Sequence, residues 1–323
     1  MIGRRGFLGQ GAAMAALVLA PGARAATPLG IVATTGMVAD LARVLGGPAV
    51  AVQGLMGTGV DPHTWRATRT DIAALGGADL VLWSGLGLEL QLRDLLARLA
   101  ARVEVVAVAE AVPADRLLAD PAYPAHPDPH VWMDPARWAF AAARTAEVLA
   151  ARLPAAAPAI AAAHDAFAAE VAALDTYARE VLATVPPEAR VVVTAHDAFS
   201  YFGDAYGFEV LGIQGISTDS EAGLARIGEL VSVLVARRIG AVFVESSVSP
   251  RNVRALIEGA AAQGHAVRIG AELYSDAMGP EGSYEGTWLG MIDHNVTAIA
   301  RALGGHAPER GRLGRLAAPE VAG

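Results

Sequence analysis

The side chains best equipped for chemistry in this chain are histidines and acids: its 323 residues include eight histidines and no cysteine. Disulfides, cysteine nucleophiles and thiolate metal sites are therefore excluded, and any metal must be held by nitrogen and oxygen. Four short segments concentrate the candidates. Asp61-Pro62-His63-Thr64-Trp65 follows a glycine-containing turn, and Asp128-Pro129-His130-Val131-Trp132-Met133-Asp134-Pro135 lies just ahead of a helical pattern. Thr194-Ala195-His196-Asp197-Ala198-Phe199 and Leu273-Tyr274-Ser275-Asp276 each follow a strand-like run. His63, His130, His196 and Asp276 make a set of three imidazoles and one carboxylate, suited to a borderline divalent transition metal. A lone histidine is more often a hydrogen-bonded surface or core residue. The repeated Asp-Pro-His argues for more, since proline restricts the backbone and an aspartate two residues earlier is placed to bond the back nitrogen of the ring. Spacing alone leaves the ligand and structural readings evenly open.

The elements that must position these residues alternate. Short β-branched runs predict strands at 30–34, 49–54, 80–84, 103–108, 190–194, 209–213, 241–245 and 266–269. Amphipathic patterns predict helices at 37–45, 70–75, 88–101, 135–153, 199–206, 221–237, 250–263 and 283–303. Between Pro158 and Pro186 runs an Ala-, Glu-, Leu- and Arg-rich stretch, 159–184, free of glycine and proline, which predicts one long helix. The expected fold class is α/β, with two lobes, each a mostly parallel sheet flanked by helices, joined by that long backbone helix. The expected division is a signal peptide at 1–25, an amino-terminal lobe at 26–153, the connecting helix at 154–187, a carboxyl-terminal lobe at 188–304 and a flexible tail at 305–323. All four candidates then fall at or beyond the carboxyl ends of strands, where parallel sheets bind ligands, two from each lobe facing one cleft.

Composition narrows the partners. All 25 basic residues are arginine and the net charge is −8, which argues against nucleic acid. The start of the chain, with Arg4-Arg5, an apolar run too short to span a bilayer and Ala23-Arg24-Ala25, predicts a cleavable export signal of the twin-arginine type. Without a cysteine after that run a cysteine-linked lipid anchor is not expected, which points to a soluble periplasmic monomer.

Several longer segments carry a family resemblance: VDPHTW (60–65), DPHVWMDP (128–135), TAHDAFSYFGDAYGFE (194–209), IQGISTDSEAGL (213–224), VFVESSVSPR (242–251) and ELYSDAMG (272–279). In these, and from 31 to 303 more broadly, the chain resembles the zinc/manganese group of ABC-transporter solute-binding proteins, the TroA-like periplasmic metal-binding proteins. The resemblance implies two α/β lobes bridged by a rigid helix and one metal ion between them. It also implies an inner-membrane ABC permease with a cytoplasmic ATPase as partner. The family's four ligand positions fall on His63, His130, His196 and Asp276. Two departures bear on the metal. His196 stands where some manganese-selective members have glutamate, and three nitrogens favour zinc. Against that, zinc members carry a long His- and acid-rich loop and a cysteine pair. Here the loop at 117–129 is short and holds His126 alone, and GISTDSEAGL resembles the manganese or broad-specificity branch. Manganese is therefore the expected cargo, with zinc able to bind.

The competing function is a secreted zinc-dependent hydrolase. It would need an open coordination position and a nearby base, whereas the sequence has no HExxH and four protein ligands would close the site. Among the remaining residues, His126 is a candidate accessory ligand or a solvated loop residue. His164 and His265 are expected at the surface, His294 in helix packing, and His306 lies in the tail. Glu245 and Arg251 are expected to pair near the cleft, either in support of the ligands or as a plain structural pair, and Trp65 and Trp132 to pack around the site.

Overall fold

Strand-forming runs and helical stretches alternate through residues 27–318, the part of the chain described by the computed structural model; the expected signal peptide lies outside them. The amino-terminal half holds β1 (Leu29–Ala33), α1 (Gly36–Gly46), β2 (Val50–Gly54), α2 (Arg69–Gly77), β3 (Leu80–Trp83), α3 (Arg93–Leu99) and β4 (Glu104–Ala107). Its sheet is wholly parallel, in the order β2-β1-β3-β4. Two helices follow, α4 (Pro135–Arg152) and α5 (Ala157–Leu182). The second half holds β5 (Val191–Thr194), α6 (Ser200–Tyr206), β6 (Glu209–Gly212), α7 (Leu224–Arg237), β7 (Ala241–Glu245), α8 (Arg251–Ala262), β8 (Arg268–Leu273) and α9 (Trp288–Ala302). There β5 pairs with β6 and β7 with β8, both in parallel, and β5 lies against β7. The fold is the α/β arrangement of parallel sheets and flanking helices that the alternation predicts.

Burial follows from that arrangement. The runs Leu80–Trp83 and Val191–Thr194 alternate little because helices cover both faces of a parallel sheet. One large apolar cluster passes from β1 and β3 through α1, α4, α5 and α9 into β5 and β7, so the two halves share a core. The 26-residue α5, about 39 Å long at 1.5 Å per residue, is its spine. It starts two residues before the predicted 159 because Pro158 sits in the first turn, where a missing N–H breaks no helical bond.

The structure departs from expectation where side chains bond the main chain. The helix predicted from 88 starts only at Arg93. Gly85, Leu86 and Gly87 all have positive φ, and the buried Glu89 carboxylate accepts from Ser84 N (2.8 Å), Gly85 N (3.1 Å) and Thr34 Oγ1 (2.7 Å). The last helix starts at Trp288 rather than 283, because the Thr287 side chain caps it by accepting from Gly290 N. The predicted strand 266–269 is displaced to Arg268–Leu273. The tail expected to be flexible is mostly exposed in its described part, 305–318, but is anchored at several points. Leu316 is buried, Arg312 N donates to both Asp293 oxygens, and the Arg312 guanidinium pairs with Glu170 on α5. Turns at Gly311 and Gly314, both at positive φ, fold this stretch back on itself. No helix among the described residues is long and apolar enough to cross a membrane.

Candidate metal centre

Local bonding aims each candidate side chain. After β2, the Asp61 carboxylate accepts from His63 N (2.9 Å) and Thr64 Oγ1 (3.0 Å), folding the Asp-Pro-His turn. At the second turn, Asp128 Oδ1 accepts from both His130 N (2.9 Å) and the ring Nδ1 (2.7 Å). A 3-10 turn, Val131–Met133, then leads into α4, capped by Asp134. His196 lies two residues beyond β5, where Glu245 at the end of β7 accepts from its main-chain N (2.9 Å) and its Nδ1 (2.5 Å). Asp276 follows β8.

The result is a convergent cluster. One donor atom from each of His63, His130, His196 and Asp276 lies within 4.8 Å of every other. The Nε2 atoms of His63 and His130 are 3.3 Å apart. Asp276 Oδ1 is 3.3 Å from His130 Nε2, and Oδ2 is 3.1 Å from His196 Nε2 and 3.8 Å from His63 Nε2. Four donors around a zinc-sized ion at ~2.05 Å would stand about 3.3 Å apart. His63, the most exposed of the four, is only 4% accessible. His196 Nε2 and both Asp276 oxygens are buried and make no hydrogen bond among the described residues. Such atoms are costly to bury unless something else engages them.

The groups of the cluster shift one another's protonation. Burial pushes the His63 pKa down to about 4, the two other imidazoles add to that, and the Asp276 charge opposes it. Burial also disfavours a proton on His130, but Asp128 and Asp276 outweigh it and raise the pKa to about 9. For His196, Glu245 and Asp276 outweigh burial in the same way and hold it well above its ordinary value. Burial would raise Asp276, yet His196 and His130 keep it well below the usual carboxylate range. Because Asp128 and Glu245 take the Nδ1 protons, the Nε2 atoms of both rings are left to face the common centre.

The four sequence candidates thus come together, while their neighbours differ from expectation. Asp128 bonds the back nitrogen of His130 as its spacing suggested, whereas Asp61 takes the main-chain N of His63 and the Thr218 hydroxyl (2.6 Å), leaving that ring alone. Glu245 bonds His196 and not Arg251, which is exposed. The sequence singles out Glu245 near the cleft, but not its pairing with His196, 49 residues away. Trp132 stands edge-on to His130 with ring centroids 5.2 Å apart, and Trp65 packs into the small cluster around Val32, Met56 and Val81. His126 and His306 are exposed, His164 is half-buried beside Asp165, and His265 and His294 bond the carbonyls of Ile239 and Glu272.

Known proteins resemble this chain in sequence and fold. The family described as ZnuA, zinc-uptake complex component A, periplasmic, matches residues 31–302. The manganese-binding lipoprotein MntA of Bacillus subtilis is 45% identical over 276 residues, covering 85% of this chain and 90% of that protein. The zinc-binding protein TroA of Treponema pallidum is 43% identical over 273 residues, covering 84% and 88%. The solved structure of the periplasmic zinc-binding protein TroA from Treponema pallidum superposes with a TM-score of 0.84 at 42% identity, over 86% of this chain and 99% of that one. The chain belongs to the ZnuA/TroA-like family of periplasmic metal-binding proteins, the solute-binding components of ABC transporters.

Proposed function

We propose that this chain captures one divalent transition-metal ion between its lobes, with His63, His130, His196 and Asp276 as ligands. It hands the ion to an inner-membrane ABC permease driven by a cytoplasmic ATPase. The observation that carries the reading is the convergence of three imidazole nitrogens and one carboxylate in a buried cleft, with His196 Nε2 and both Asp276 oxygens otherwise unpartnered. The ion is cargo, and the protein acts by binding rather than by catalysis.

Manganese is the favoured cargo, with zinc competent to bind. Both oxygens of Asp276 face ring nitrogens, Oδ1 toward His130 and Oδ2 toward His196. A bidentate carboxylate beside three imidazoles makes five donors, one more than a closed tetrahedral zinc site uses. Zinc outbinds manganese at a given nitrogen and oxygen set, so selection rests on geometry and supply. We place the protein in the periplasm, where the description of its family puts the uptake component.

Competitive titration of the metal-stripped protein with Mn2+ and Zn2+, with elemental analysis of protein from its native periplasm, tests this. One ion per chain is expected, and uptake is lost when His63 and His196 are both alanine. A double variant that binds like the parent would sink the reading.

A further inference from the structure

Tyr201 sits at the start of α6 in the second lobe, yet its hydroxyl bonds the main chain of the first. It donates to the Asp128 carbonyl (2.8 Å) and accepts from Leu118 N–H (3.0 Å). Those two residues form the neck of a loop: Asp128 N–H donates to the Leu118 carbonyl (2.8 Å), and a bridge joins Ala119 to Pro127 just inside it. Tyr201 is fully buried. The Arg137 guanidinium lies 4.8 Å from its ring centroid and is itself held by Asp134, Asp204 and the Arg116 carbonyl. A rigid phenol from one lobe therefore fixes the point at which a loop of the other closes.

That point is Asp128, whose Oδ1 bonds His130 twice. Its Oδ2 is buried without a hydrogen bond among the described residues, so outside its bonds to His130 the carboxylate depends on the backbone for its place. We propose that Tyr201 is a positioning residue for metal capture. By gripping the Leu118–Asp128 neck it holds Asp128, and through it the His130 ring, in coordinating orientation, and so slows release of the ion. The inference rests on the metal-capture reading above. Removing the hydroxyl leaves one main-chain donor and one acceptor without their side-chain partner, a loss delivered directly to the backbone that orients a ligand.

Tyr206 supplies the control: it is buried on the same helix, but its hydroxyl bonds Asp175 on α5 (3.1 Å). Release of Mn2+ and Zn2+ into excess chelator is followed by stopped flow for the parent, Y201F and Y206F. Both variants are expected to lower the Tm of the metal-free protein by a few degrees. Y201F alone is expected to speed release, on the order of tenfold, with little change in association rate. Parent-like release from Y201F overturns the inference while leaving metal capture intact, and equal acceleration in Y206F overturns it as general loosening. If the parent itself takes up neither ion, the capture reading falls and the inference with it. Should Y201F not fold, hydrogen exchange on the parent decides. A Leu118 amide protected as well as α6 supports the grip, and one exchanging as fast as the exposed loop at 120–126 overturns it.

Discussion

With the ligand set proposed above, protons and the metal compete for the same ring nitrogens. His130 titrates at about 9 and His196 well above its ordinary value because Asp128, Glu245 and Asp276 outweigh the cost of burial; His63, lacking a carboxylate behind its ring, is pushed down to about 4. Near neutral pH an ion must therefore displace about two protons, and its affinity falls as pH falls. Isothermal titration from pH 8 to pH 6 should show progressive weakening, and an affinity flat from 7.5 to 5 would contradict this. Without metal the sign reverses. Two folded-state pKa values raised above the unfolded ~6.5 stabilise the protein fully below that pH, and the His130 share is lost as pH rises through about 9. The Tm of the metal-free protein should thus fall between pH 7 and pH 9 while that of the loaded protein does not. The carboxylates behind the rings also set ligand strength. E245Q keeps the shape of Glu245 but removes its charge, and should weaken metal binding about 10- to 100-fold, read by the same titration. The Asp128 contact was legible because it lies two residues from its histidine. Glu245 could be placed near the cleft from the sequence, but not against His196, because the fold, and not the local sequence, brings β7 beside that residue.

At the scale of elements, apolar runs disclosed the strands and the Ala-rich stretch disclosed α5, because burial and helix propensity are written in residue type. Element ends were harder to read, since single side chains decide them. Glu89 is the clearest case. Its pattern continues a helix, yet its carboxylate closes the turn between β3 and α3 across three residues in the left-handed region. Burial raises its pKa, and the bonds from Thr34, Ser84 and Gly85 oppose that. E89A would leave two main-chain N–H groups and the Thr34 hydroxyl without an acceptor in a dry interior. The expected cost is about 2–4 kcal/mol in chemical denaturation. E89Q, which keeps one acceptor oxygen, should cost less. A loss below about 1 kcal/mol for E89A would mean that the turn is set by its glycines alone.

At the scale of the molecule, the question is what holds the cleft closed over the cluster. A core continuous through α4, α5 and α9 ties the lobes together at the back, so any opening is a small adjustment at the front rather than a wide hinge. At the front the lobes meet through a few polar contacts: Thr218 Oγ1 to Asp61 Oδ2 (2.6 Å), Thr58 Oγ1 to the Gly279 carbonyl (3.2 Å) and Trp132 Nε1 to the Ser275 carbonyl (2.9 Å). The first stands out because the same carboxylate holds the main chain of His63, the most exposed of the four candidates. Opening at Thr218 therefore loosens the turn that aims a ligand. Thr218→Val keeps the side-chain shape and deletes the donor. Since Thr218 is half-exposed, water can replace the lost bond and stability should barely change. Metal release should nonetheless quicken several-fold, because the bond ties the second lobe to the carboxylate that holds the main chain of His63. Unchanged release in T218V would locate the resistance to opening in the packed back of the molecule, with Asp61 serving only to shape its own turn.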